Sequence, residues 1–188
     1  LTDLRVLHTG YSSPAIMAEK QARNLAILDS ESQVRNLDPA FLLAYAGTLA
    51  YHNRHPEAVA KLRRILTIKS TPDHIRLSAL ITLADFLLQI SPAEARDFSE
   101  VALRLSPNHP QPLLLLALLC LHSNTPRAKY LLEKAIASNT PCTQSPADTT
   151  QIKLQAAAHL APIYRANPQL HHLLKSLLDT AKTLCNHR

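Results

Sequence analysis

The chain has 188 residues, a formal net charge of +6, 46% hydrophobic and 18% charged residues, a balance that supports a folded core and excludes a disordered or fibrous class. Its two glycines, Gly10 and Gly47, are too few for a phosphate-cradling glycine loop, so GxGxxG and P-loop nucleotide sites are excluded. Thirteen prolines against two glycines favour helices with proline-marked starts over a glycine-turned β-sandwich.

In chain order, residues 1–12 are expected to form a poorly ordered arm. Helices are then predicted over 14–36, 39–53, 56–69, 73–90, 92–105, 110–123, 126–138, 147–166 and 168–185. Most of these starts carry a capping residue followed by proline: Ser13-Pro14, Asp38-Pro39, Thr71-Pro72, Ser91-Pro92, Thr125-Pro126, Ser145-Pro146 and Asn167-Pro168, with His55-Pro56 as a weaker version. Ser91-Pro92-Ala93-Glu94 also has the form of a capping box. Pro162 falls inside the eighth helix and should kink it. The longest loop candidate runs from 139 to 149. No stretch alternates β-branched and polar residues as a strand would.

The helices pair, and the second member of each pair repeats. Pro56-Glu57-Ala58-Val59 is followed by Leu62 and Ile65; Pro92-Ala93-Glu94-Ala95 by Phe98 and Ala102; Pro126-Arg127-Ala128 by Leu131, Leu132 and Ala135. The first alanine recurs at 58, 95 and 128, and the later small or aliphatic position at 65, 102 and 135. Prolines 72, 107 and 141 close the units, so the period is about 34 residues with two helices per unit. At these residues the chain resembles the tetratricopeptide repeat (TPR) family. Ala46, Ala84 and Ala117 stand where that family keeps a small residue in the first helix. Glu57-Ala58 and Glu94-Ala95 match its opening of the second helix, and Leu103-Arg104-Leu105-Ser106-Pro107 its closing segment. The family's early aromatic is replaced by Leu42 and its equivalents. Its turn glycine is absent, with Asn53 and Asn124 as left-handed substitutes.

The resemblance spans about residues 39–141. It implies an all-α, right-handed TPR-like α-solenoid: a single helical-repeat domain over 1–188, with a leading helix at 14–37, repeats at 39–72, 73–107 and 108–141, and a degenerate fourth pair or cap at 146–186.

Little in the chain points to chemistry. None of the ten histidines falls in a zinc spacing, the carboxylates lie singly on their helices, and no nucleophile elbow is present. The expectation is therefore a non-catalytic protein with no cofactor and no metal. Cys120 sits in an apolar run as a small core residue, whereas Cys142 and Cys185 could pair only if the fold brought them together. The longest apolar run, residues 112–121, is about half a membrane span, so no transmembrane segment is expected. The chain opens at Leu1 without a signal-peptide pattern, which suggests a processed or partial chain. The compartment stays open.

The resemblance implies that the first helices line a concave groove for a partner peptide or helix. Carried over, the lining is Leu43, Gly47 and Tyr51; Ser78, Ile81, Asp85 and Leu88; and Gln111, Leu114, Leu118 and Leu121. The Lys, Asn and Arg clamp with which some family members hold a carboxylate tail is missing, since its places hold Leu43, Gly47, Ile81, Asp85 and Leu114. The groove is instead apolar, covered either by helices 147–185, by the rest of a larger chain, or by a partner. Gly47, costly inside a helix, suggests the close approach of another backbone. The function that follows is a protein–protein interaction scaffold, of the kind found in assembly modules and secretion chaperones. The alternative is a basic helical-repeat nucleic-acid binder led by Lys61, Arg63 and Arg64.

Overall fold

The computed structural model describes residues 14–32, 34, 38–140 and 146–186. Among them are nine α-helices and no strand: α1 (Pro14–Glu31), α2 (Pro39–Tyr51), α3 (His55–Thr67), α4 (Asp73–Leu87), α5 (Pro92–Leu105), α6 (Pro110–Cys120), α7 (Thr125–Ala137), α8 (Pro146–Arg165) and α9 (His171–Asn186), with a 3₁₀ turn at Pro168–Leu170. The fold is all-α. The expected arm at 1–12, Ser13, Ser145, Cys142 and the side chain of Cys185 lie outside the described residues. Of the expected loop at 139–149, residues 146–149 already belong to α8 and 141–145 lie outside the described residues. Cys120 is buried, with a free thiol.

The helix starts follow the capping chemistry in part. Asp38 accepts from the amides of Ala40 (3.0 Å) and Phe41 (3.3 Å), with Pro39 in the first turn. Asn167 accepts from Gln169 but opens only the 3₁₀ turn. Four starts differ from expectation. At α3 the cap position is Arg54, without a side-chain cap bond, and His55 is already helical. At α7 the cap is Asn124, which accepts from the Arg127 amide (3.0 Å); Thr125 is already helical. The same Asn124 has a negative φ (−150°) and so does not serve as the left-handed residue, whereas Asn53 does (φ 59°). At α4, Pro72 occupies the cap position itself and Thr71 is buried before it. At α5, Ser91 makes no side-chain cap bond, and the amide a capping box would engage donates to the Leu87 carbonyl at 2.8 Å. Helix α1 stops at Glu31, short of the expected 36, where the Ser30 and Ser32 hydroxyls bond the carbonyls of Ile27 and Asp29. Helix α8 continues through Pro162. The proline and Ala158, whose carbonyl loses its partner, are both exposed, so water can replace the missing bond.

The chain divides into two compact units, Leu1–Ser70 and Thr71–Arg188. In the first, α2 packs on α3 and, less extensively, on α1. Its buried side chains include Phe41, Leu42, Tyr45 and Leu49 from α2, and Ala58, Leu62 and Ile65 from α3. No described residue of α1 is fully buried; its apolar side chains Met17, Leu25 and Leu28 are half-buried.

In the second unit each helix from α4 to α9 packs on its neighbour in the chain, and α4–α6 and α6–α8 also touch. Leu113, Leu114, Leu116 and Ala117 of α6 join Leu131, Leu132 and Ala135 of α7 in one core, which α8 completes with Ile152, Ala156, Ala157, Leu160 and Tyr164. Leu177 brings in α9.

One pattern recurs in both units. The second helices bury the same three positions, spaced four and then three residues: Ala58, Leu62, Ile65; Ala95, Ser99, Ala102; Ala128, Leu132, Ala135. All nine have 0% exposed surface. The spacing places the three on one helix face. The middle position of α5 is therefore Ser99 rather than the expected Phe98, which is half-buried. Ser99 can be buried because its hydroxyl donates to the Ala95 carbonyl one turn back (2.8 Å). The matching small residues of the first helices, Ala46, Ala84 and Ala117, are also buried, at 1%, 0% and 0%.

Candidate binding faces

Helix α2 carries no charged side chain, and its exposed residues fall on one stripe: Ala40, Ala44, Gly47 and Tyr51, spaced four, three and four. Leu43 lies half-buried beside them. Three of the expected lining residues, Leu43, Gly47 and Tyr51, thus share a face, and the structure adds Ala40 and Ala44. Their spacing was legible in the chain, but nothing marked which side of an apolar helix would stay uncovered. Gly47 is not explained by a tight helix crossing. A Cβ built on it meets nothing within 4 Å.

The back of α2 is held by polar contacts. The Tyr45 hydroxyl donates to Asp29 of α1, and Asp29 also lies 3.6 Å from Arg54. Arg54 forks onto Glu57 with contacts of 2.6 and 2.7 Å. That bond holds the Glu57 carboxyl below its ordinary pKa, and the same pairing raises that of Arg54. Burial first, then the bond to Asp29, pushes the Tyr45 phenol up to about 12. Lys61 is half-buried, its ammonium 4.8 Å from the centre of the Tyr45 ring. It therefore faces α2, and of the expected basic trio only Arg63 and Arg64 are exposed.

In the second unit the lining residues have diverse placements. Ser78 and Ile81 of α4 are buried, and the Ser78 hydroxyl donates to the His74 carbonyl (2.9 Å). Asp85 is exposed as a residue, yet desolvation of its carboxyl raises its pKa above the ordinary value. Leu88 and Gln111 are half-buried. Leu114 is inside the α6–α7–α8 core, and Leu118 and Leu121 pack against that core from its edge. The apolar wall expected from α6 is thus largely internal, with α8 contributing the cover.

Among the described residues, this unit has two open cavities of note. One, of about 330 Å³, lies among α7, α8 and α9 and is lined by Glu133, Ile136, Leu160, Tyr164 and Leu177, among others. Tyr164 donates to Glu133 (2.5 Å), and Lys129 pairs with the same carboxylate oxygen (3.2 Å). Burial, then that carboxylate, raises the Tyr164 pKa. The other, of about 480 Å³, has a mixed lining that includes Asn108, Lys134, Ala137, Ser138 and Thr140.

No group of three or more His, Cys, Asp or Glu side chains is arranged to hold a metal ion among the described residues. No described helix is long and apolar enough to cross a membrane. No protein-family model matches the chain, and no curated protein matches its sequence.

Proposed function

We propose that the chain is a non-catalytic protein–protein interaction module with a TPR-like α-solenoid organisation. The organisation is supported by the second unit. There the first helices α4, α6 and α8 touch in succession, while α5 and α7 repeat one buried stripe on their inner faces. The interaction role is carried by one observation: the exposed stripe of α2, Ala40, Ala44, Gly47 and Tyr51, is uncharged and small except for its terminal tyrosine. Small side chains let a partner helix or extended apolar peptide come close, and Tyr51 supplies an amphipathic anchor at the end. Leu118, an obvious choice from the sequence, is a poor probe because it packs against a core.

The test uses exposed positions. Cross-linking and mass spectrometry on material purified from the native source would compare the wild type with Ala44→Glu and with Arg63/Arg64→Glu, each checked for helicity by circular dichroism. Loss of a protein partner with Ala44→Glu alone is expected. Loss with the charge reversal alone would move the interaction to the basic face of α3, where salt-sensitive retention of an oligonucleotide would establish the nucleic-acid alternative. A partner retained by both variants would overturn the α2 assignment.

A further inference from the structure

Helix α6 begins in a closed environment. His109 is its cap residue, with 1% of its surface exposed, and Pro110 and Pro112 of the first turn are fully buried. The two prolines have no amide hydrogen to satisfy. The His109 amide donates to the Ser106 carbonyl (3.1 Å), and the Gln111 amide donates to His109 Nδ1 across 3.4 Å. An imidazole whose Nδ1 accepts must be neutral and carry its proton on Nε2. That Nε2 is buried and has no hydrogen-bond partner among the described residues.

We propose that His109 is an acid-sensitive latch: neutral, it caps α6 and lets the α5–α6 junction stay buried; protonated, it releases the first turn of α6 and loosens the core of the second unit. Three costs fall on the charged form together. Nδ1 would become a donor facing the Gln111 donor. A cation would sit at the positive end of the helix dipole. The charge would be buried without a counter-ion. Desolvation lowers the imidazole pKa, and no charged group of α4, α5, α7 or α8, the helices packed on α6, contributes to the shift. Lys134 of α7, which lines the neighbouring cavity with Asn108 and Ser138, is itself a cation and offers no compensation.

The sign follows from proton counting. The folded-state pKa lies below the unfolded value of about 6.5, so between the two the unfolded chain binds more protons. This contribution to stability is complete above pH 6.5, is lost as the pH falls below it, and levels off below the folded pKa. Each pH unit in that window should lower the folding constant by up to about tenfold through this one residue.

The experiment measures denaturant unfolding of the full chain from pH 7.5 to 4.5, for the wild type and for His109→Asn, which can cap but does not titrate. The wild type should lose up to about tenfold per pH unit more than the variant. Equal pH dependence in the two would overturn the latch. If His109→Asn fails to fold, amide exchange and imidazole NMR on the wild type replace it. Loss of protection in α6 on acidification, with the His109 ring neutral while folded, is expected. A ring that titrates near 6.5 while α6 stays protected would overturn it.

Discussion

The two units solve the same problem, attaching a further helix to a helix pair, with one polar device and unequal amounts of apolar surface. In the first, Tyr45 of α2 donates to Asp29 of α1 and Lys61 lies over the tyrosine ring. In the second, Tyr164 of α8 donates to Glu133 of α7, with Lys129 5.8 Å from the ring centre. The surroundings differ. Helix α8 adds Ile152, Ala156, Ala157 and Leu160 to a core shared with α6 and α7, whereas none of the described α1 side chains is fully buried. A similar hydrogen bond is therefore an accessory in the second unit and a principal tie in the first.

The largest effect expected within this comparison comes from the apolar side. Leu132→Ala removes a fully buried side chain from the core that secures α8, and should cost the second unit about 2–5 kcal/mol in denaturant unfolding. Ser99→Leu tests the all-small stripe of α5. Filling a site occupied by serine should cost about 1–3 kcal/mol by overpacking, although the Leu62 and Leu132 positions match it in sequence. The tyrosines come next, each losing a bond worth about 1–2 kcal/mol. Tyr164→Phe should lower the unfolding free energy and leave α8 protected from amide exchange. Tyr45→Phe should raise exchange across α1 by roughly tenfold while α2 and α3 stay protected. Similar exchange in α1 and α8 after the two substitutions would break the comparison. The smallest effect has the opposite sign. Gly47→Ala adds a methyl to open space inside a helix and should stabilise the first unit by about 1 kcal/mol, read as a rise in thermal midpoint. A fall would show that another backbone does approach there.

Helix positions were largely legible because proline and the capping side chains act locally. Asp38-Pro39 carries its start within four residues. Where expectation missed, the deciding contact came from outside that window or from a neighbour one residue away. Asn124 displaced Thr125 because its carbonyl oxygen reaches the Arg127 amide. Histidine is an uncommon cap, so nothing in the chain marks His109, and only its burial gives the role consequence. The binding face divided similarly. Leu43, Gly47 and Tyr51 were placed on one face by helical spacing, while Ile81 and Leu114 satisfied the same rule and turned out buried.

The amino-acid sequence by itself determined that this protein is all-α, roughly where each helix starts, and which small residues recur at helix contacts. Those properties depend on backbone dihedrals, missing amide hydrogens and a period of 3.6 residues, all local in the chain. Tertiary structure decided which side of each apolar helix is covered. Helices α2 and α6 are both uncharged and apolar nearly all round, so neither has a polar face to orient it. Only packing distinguishes them: α8 covers α6, and the stripe from Ala40 to Tyr51 on α2 stays exposed.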